Sequence, residues 1–121
     1  MKALSVRPRW AAKIRTGEKP LEIRSKRIHY RGPLLICATK KCDAGDEGLP
    51  SGVASCIVDV VGCRPMTAAD EKAACVPLRP RQFAWVFANP RPVPPQPVRG
   101  NCGLFNVELT SAREDATAPR T

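Results

Sequence analysis

Three charged residues at fixed offsets carry the chemical content of this sequence: Lys19, Glu22 and Arg24, which follow Gly17 in the run GEKPLEIR. A lysine and an arginine on either side of a glutamate can hold a phosphate by charge-assisted hydrogen bonds. The carboxylate then orients the two cations or accepts hydrogen bonds from the exocyclic amine of a base. The same groups also suit hydrolysis, with Glu22 activating a water and Lys19 facing the oxyanion. A second carboxylate, Asp59, interrupts the apolar run of residues 53–63 and shares a strand face with Ile57 and Val61. Buried unpaired it would cost on the order of several kcal/mol. It must therefore face a cleft, lie at an exposed edge or take a cationic partner, for which Lys19 and Arg24 are the candidates.

The flanking segments say how these groups are positioned. Residues 3–6 read as a short strand, and Pro8 suits the first turn of a helix running to Thr16. Trp10, Ala11 and Ile14 share one helix face, which makes Trp10 a core residue, while Arg9, Lys13 and Thr16 share another. Gly17 stops the helix, Pro20 marks the turn, and from Leu21 the side chains alternate. Leu21 and Ile23 go to one face and Glu22 and Arg24 to the other, with Lys19 on the turn before them, so three charges are expected at one open lip.

Downstream, residues 25–31 interleave basic residues with His29 and Tyr30, a pattern able to hold phosphates and stack a base, before the breaker Gly32-Pro33. Residues 34–38 form a buried strand from whose end Lys40 and Lys41 emerge. Residues 42–52, rich in Asp, Gly, Pro and Ser, are expected to be a mobile surface loop with few means of burying itself. Residues 53–63 are the longest β-like segment, and Thr67 with Asp70 three places on opens a short helix through about Ala74. In the strand of residues 82–88, Phe83, Trp85 and Phe87 project together as a core stripe, with Trp85 the ring placed to stack on a base if it lies near an open end. Residues 89–96 are a stiff proline-rich connection, residues 103–109 a closing strand, and residues 110–121 a disordered tail.

A chain of 121 residues fits one domain, and 20 Lys plus Arg against 11 Asp plus Glu leave a formal charge of +9, which suits a polyanionic partner such as nucleic acid. No apolar run approaches the roughly 20 residues of a membrane span, and the N-terminus lacks the apolar core of a signal peptide, so a cytoplasmic protein without a membrane role is expected. The six cysteines form no C-x-x-C pair and His29 has no second histidine beside it. We therefore expect free thiols, no metal site and no cofactor.

The pattern G-x-K-x-x-E-x-R resembles the signature of the ASCH (activating signal cointegrator homology) family. Leu4-Ser5-Val6-Arg7 with Trp10, Tyr30-Arg31-Gly32-Pro33-Leu34-Leu35-Ile36, Phe83-Ala84-Trp85-Val86 and Val98-Arg99-Gly100 followed by residues 103–107 resemble further segments in the family's order. The resemblance spans roughly residues 1–109. It implies an α+β fold, a small PUA-like β-barrel of about five or six strands with one or two helices. It also implies binding of RNA or other single-stranded nucleic acid, or of a modified nucleoside, in a cleft. The binding candidates are Arg7, Lys19, Glu22, Arg24, Tyr30, Arg31, Trp85 and Arg99. Some small relatives are amidohydrolases acting on N4-acylated cytidines through a lysine, a threonine and a glutamate, and others are linked to ribonuclease activity. By position Lys19 matches the lysine and Asp59 the later acidic residue, which makes Lys19, Glu22 and Asp59 the catalytic candidates. Glu22 occupies the threonine position and has no hydroxyl to act as nucleophile.

Overall fold

The computed structural model describes residues 1–109, so the tail expected at residues 110–121 lies outside the described residues. The elements follow in the order β1 (Lys2–Val6), α1 (Pro8–Thr16), β2 (Leu21–Arg24), β3 (Gly32–Ala38), β4 (Val53–Pro65), a 3-10 turn (Ala68–Asp70), α2 (Glu71–Ala74), β5 (Phe83–Pro92) and β6 (Leu104–Asn106). Six strands form one curled half-barrel sheet in the order β2-β5-β4-β3-β1-β6. β1 and β3 are parallel, with Val6 opposite Ala38, and the other pairs are antiparallel. The two short helices complete a small α+β barrel of the PUA-like kind.

α1 forms where the sequence places it. Pro8 begins it, and Gly17 ends it at φ 87°, a left-handed conformation in which its N–H reaches the Ile14 carbonyl. Ala11 and Ile14 turn inward to join Leu4, Val6, Leu34, Ile36, Val58 and Val60 in the main core. The Phe83, Trp85 and Phe87 stripe packs against that same core. Leu21 belongs to a smaller cluster with Met66, Ala74 and Ala84, against which Ile23 packs, so β2 is pinned between α2 and β5.

Three segments depart from the sequence reading. β5 continues to Pro92, because Asn89, at φ 53°, and Pro90 sit between the paired positions Ala88 and Arg91. That bulge takes up a proline that has no N–H to offer the ladder. The closing strand is shorter than residues 103–109, reduced to Leu104–Asn106. The loop of residues 42–52 does have a buried anchor, since Asp46 is 1% exposed. Its carboxylate accepts the Arg9 N–H at 2.9 Å and the Asp43 N–H at 2.7 Å, which ties the loop to the first turn of α1. Those backbone hydrogen bonds hold the Asp46 carboxyl below its ordinary pKa.

Candidate functional site

β1 and β2 lie on the two sides of the opening left by the curled sheet. The Arg24 guanidinium bridges it, its Nη2 donating to the Ser5 carbonyl at 3.1 Å. Beside this link lies a cleft of about 750 Å3, a size suited to a small ligand or a segment of a larger one. Glu22 and Arg24 of β2 line one side, and Ser5, Val6 and Arg7 at the end of β1 line the other. Trp10 contributes from α1, while Thr39, Lys40 and Lys41 come from the end of β3 and Arg99 to Gly103 from the segment before β6.

Local geometry explains why these groups converge. Parallel pairing brings the C-terminal ends of β1 and β3 side by side, so Arg7 and Lys40 emerge together. The backbone of Gly100 comes so close to β1 that an added Cβ would stand 2.9 Å from Ser5 Oγ. That hydroxyl is buried at the cleft without a hydrogen-bond partner. Cys37 also reaches the lining, but burial pushes its thiol up to about 12, which keeps it protonated and unreactive.

The electrostatics are one-sided. Arg7, Arg24, Lys40, Lys41 and Arg99 bring five cationic side chains to the lining, against the single carboxylate Glu22. Glu22 is itself buried at 7% exposure and compensated: Arg24 Nε donates to its Oε2 at 2.8 Å, and Lys19 Nζ stands 3.9 Å from Oε1. Arg7 pairs with Asp43 at 3.3 Å, and its charge also acts on the buried Asp46.

Lys19 is not on an open lip. Its ammonium is 2% exposed, donates to the Ala74 carbonyl and lies 5.0 Å from the Trp10 ring centroid. Burial lowers its pKa against the pull of Glu22. The turn at Pro20 folds it beneath α2, so it supports Glu22 from behind.

Other sequence candidates fall elsewhere. Asp59 does take a cationic partner, but Arg91 at 3.0 Å rather than Lys19 or Arg24, with Asn89 Nδ2 donating at 3.0 Å. These bonds from Asn89 and Arg91 hold its carboxyl below the ordinary range. The β4–β5 register turns it away from the cleft, so Lys19, Glu22 and Asp59 do not form one constellation. Trp85 is 5% exposed, with its indole N–H held by the Lys26 carbonyl at 2.9 Å, and cannot stack on a ligand without leaving the core. Tyr30 packs on the core and donates to the Pro33 carbonyl at 2.6 Å, while Arg31 donates to the Ile28 and Tyr30 carbonyls; neither lines the cleft. The half-buried ring at the cleft is Trp10 instead. Lys40 and Lys41 are the cations that sequence reasoning did not assign to the site. Their position directly after a strand parallel to β1 is the signal that finds them.

Curled sheet, helix and basic opening together define a PUA-like domain. The ASCH domain profile matches residues 4–96, and the chain belongs to the ASCH domain family. Among solved structures, the ASCH protein of Zymomonas mobilis superposes with a TM-score of 0.64 at 14% identity, covering 96% of this chain and 93% of that one. A single-residue variant of it superposes at 0.66 and 12% identity, covering 97% and 96%. At such identities the likeness is one of fold. No curated protein matches the chain. Among the described residues no helix is long and apolar enough to cross a membrane, and no group of three or more His, Cys, Asp or Glu could hold a metal ion.

Proposed function

We propose that the cleft between β1 and β2 binds RNA or another single-stranded nucleic acid. The observation that carries this reading is the charge of the lining: five cations around one buried, compensated carboxylate. Phosphates are held by Arg7, Arg99, Lys40 and Lys41, of which the last three make no ion pair among the described residues. Trp10, whose ring packs on the core and carries Arg9 at 4.7 Å and Lys19 at 5.0 Å, offers to a base the part of its ring that lines the cleft, and Glu22 keeps free lone pairs for an exocyclic amine.

A hydrolytic use of the cleft has less support. Asp59 is engaged with Arg91 outside it, and Lys19 is enclosed behind Glu22. Binding without turnover is therefore the reading we favour.

Fluorescence anisotropy of a labelled single-stranded RNA over a salt series tests it. The logarithm of affinity should fall linearly with the logarithm of salt, by about 0.7 for each phosphate neutralised. The paired substitutions Lys40→Gln and Lys41→Gln should lower that slope by about 1.4. Absence of binding at low salt, or a slope that those substitutions leave unchanged, would remove the reading.

A further inference from the structure

Beyond Arg24 the chain crosses from β2 to β3 as a strap of residues 25–31. The strap is fixed from beneath. Ile28 is 3% exposed and sits in the main core, its N–H meets Cys63 Sγ at 3.5 Å, and the Lys26 carbonyl accepts the Trp85 indole N–H. Arg31 Nη1 closes the turn on the Ile28 and Tyr30 carbonyls. Nothing comparable holds the upper surface. Lys26, Arg27, His29 and Arg31 are exposed, and none makes an ion pair among the described residues. The Arg27 guanidinium lies over the Phe83 ring at 4.4 Å, which holds it on the strap without neutralising it.

From these placements we infer that the binding track does not end at the cleft. It continues from Arg24 onto Lys26 and Arg27, so the partner is a single-stranded RNA several nucleotides long rather than a nucleoside or mononucleotide. This rests on the reading of the cleft given above. Lys26 lies two residues beyond Arg24, in a bend, at a reach of at most about 7 Å, within one phosphate-to-phosphate step of an extended strand. A strand whose phosphates meet Lys40, Arg7 and Arg99 in the cleft reaches Arg24 and then finds unpaired charge, already ordered by Ile28 and Phe83. Ordering in advance lowers the entropy lost when those side chains meet phosphate.

The test compares labelled single-stranded RNAs of roughly 4 and roughly 12 nucleotides, lengths at the short and long ends of usual single-strand sites. They are titrated against the natural chain, the double variant Lys26→Gln with Arg27→Gln, and Lys72→Gln on α2 as an equal-charge control for one site. We expect the longer RNA to bind about tenfold more tightly than the shorter. The double variant should weaken only the longer one, by about tenfold, and reduce its salt slope by about 1.4, while Lys72→Gln leaves both unchanged. Equal binding of the two lengths, or a double variant that weakens both alike or neither, would overturn the strap while leaving the cleft standing. Failure of both RNAs to bind at low salt would overturn the strap and the cleft together. Circular dichroism melts of the double variant separate loss of contact from loss of fold.

Discussion

Along β4 and β5 positive charge is matched within the protein. Arg64 holds Asp70 with two bonds of 2.7 and 2.8 Å, and Arg91 holds Asp59 at 3.0 Å. Along the opening between β1 and β2 it is not: Lys40, Lys41 and Arg99 are exposed and make no ion pair among the described residues, and the buried pair of Lys19 and Glu22 is kept behind the surface. The contrast separates cations neutralised within the fold from cations that make no ion pair among the described residues. A sequence shows both kinds as arginine and lysine. The turn after β4 makes the Arg64–Asp70 pair and the register of β4 against β5 the Arg91–Asp59 pair, while the parallel pairing of β1 with β3 exposes the second kind.

Substitution of Lys19 should have the largest effect, and on stability. Lys19→Met leaves the Glu22 carboxylate buried with only Arg24 beside it, and loss of one partner of a buried pair costs on the order of 3–5 kcal/mol. Urea unfolding should show a lower midpoint at unchanged slope, part of it recovered by adding Glu22→Gln. Unchanged stability would mean that Lys19 belongs with the free cations after all.

Next comes Trp10→Ala, which should lower affinity for single-stranded RNA by roughly tenfold, within the 1–3 kcal/mol typical of a base on an aromatic ring. Trp10→Phe should retain most of the binding. A smaller shift is expected in acid. Asp70 is held well below the usual carboxylate range, first by Arg64 and then by the Thr67 N–H. With its folded pKa depressed, its contribution is fully present above the unfolded value of about 4 and is lost as pH falls toward the folded one. Asp70→Asn should therefore flatten the loss of stability below about pH 4 in acid denaturation, relative to the natural chain. Smallest of all, Arg91→Gln should leave RNA affinity and its salt slope unchanged, since that guanidinium is already engaged by Asp59. A loss equal to that of Lys40→Gln would erase the distinction between the two regions.

Much of the frame was legible in the sequence because it depends on neighbours along the chain. Pro8 and Gly17 bound α1, the alternation from Leu21 sends Glu22 and Arg24 to one side, and the capping box joins Thr67 and Asp70, with the Thr67 N–H reaching the Asp70 carboxylate at 2.8 Å. The site was legible in part. Arg7, Glu22, Arg24 and Arg99 line one cleft, but Lys19 is folded under by contacts with Ala74 and Trp10 that no local spacing announces. Both tryptophans pack on the main core as the spacing suggests, but how far each is covered depends on segments distant in sequence. Trp85 is enclosed by a strap whose Ile28 enters the core, while Trp10, on α1, packs on the core from one side and lines the cleft with the other. Asp59 found a cation 32 residues away through strand register, which alternation alone does not supply.

Those two rings also offer the most direct measurement. With 5-fluorotryptophan incorporated, the protein gives one 19F resonance for Trp10 and one for Trp85, assigned with Trp10→Phe, and a single-stranded RNA is titrated into the sample. Binding in the cleft predicts that the Trp10 resonance shifts with saturation while that of Trp85 moves little. Saturable binding that leaves Trp10 in place, or that moves Trp85 alone, would contradict the assignment of the opening between β1 and β2 as the nucleic-acid site.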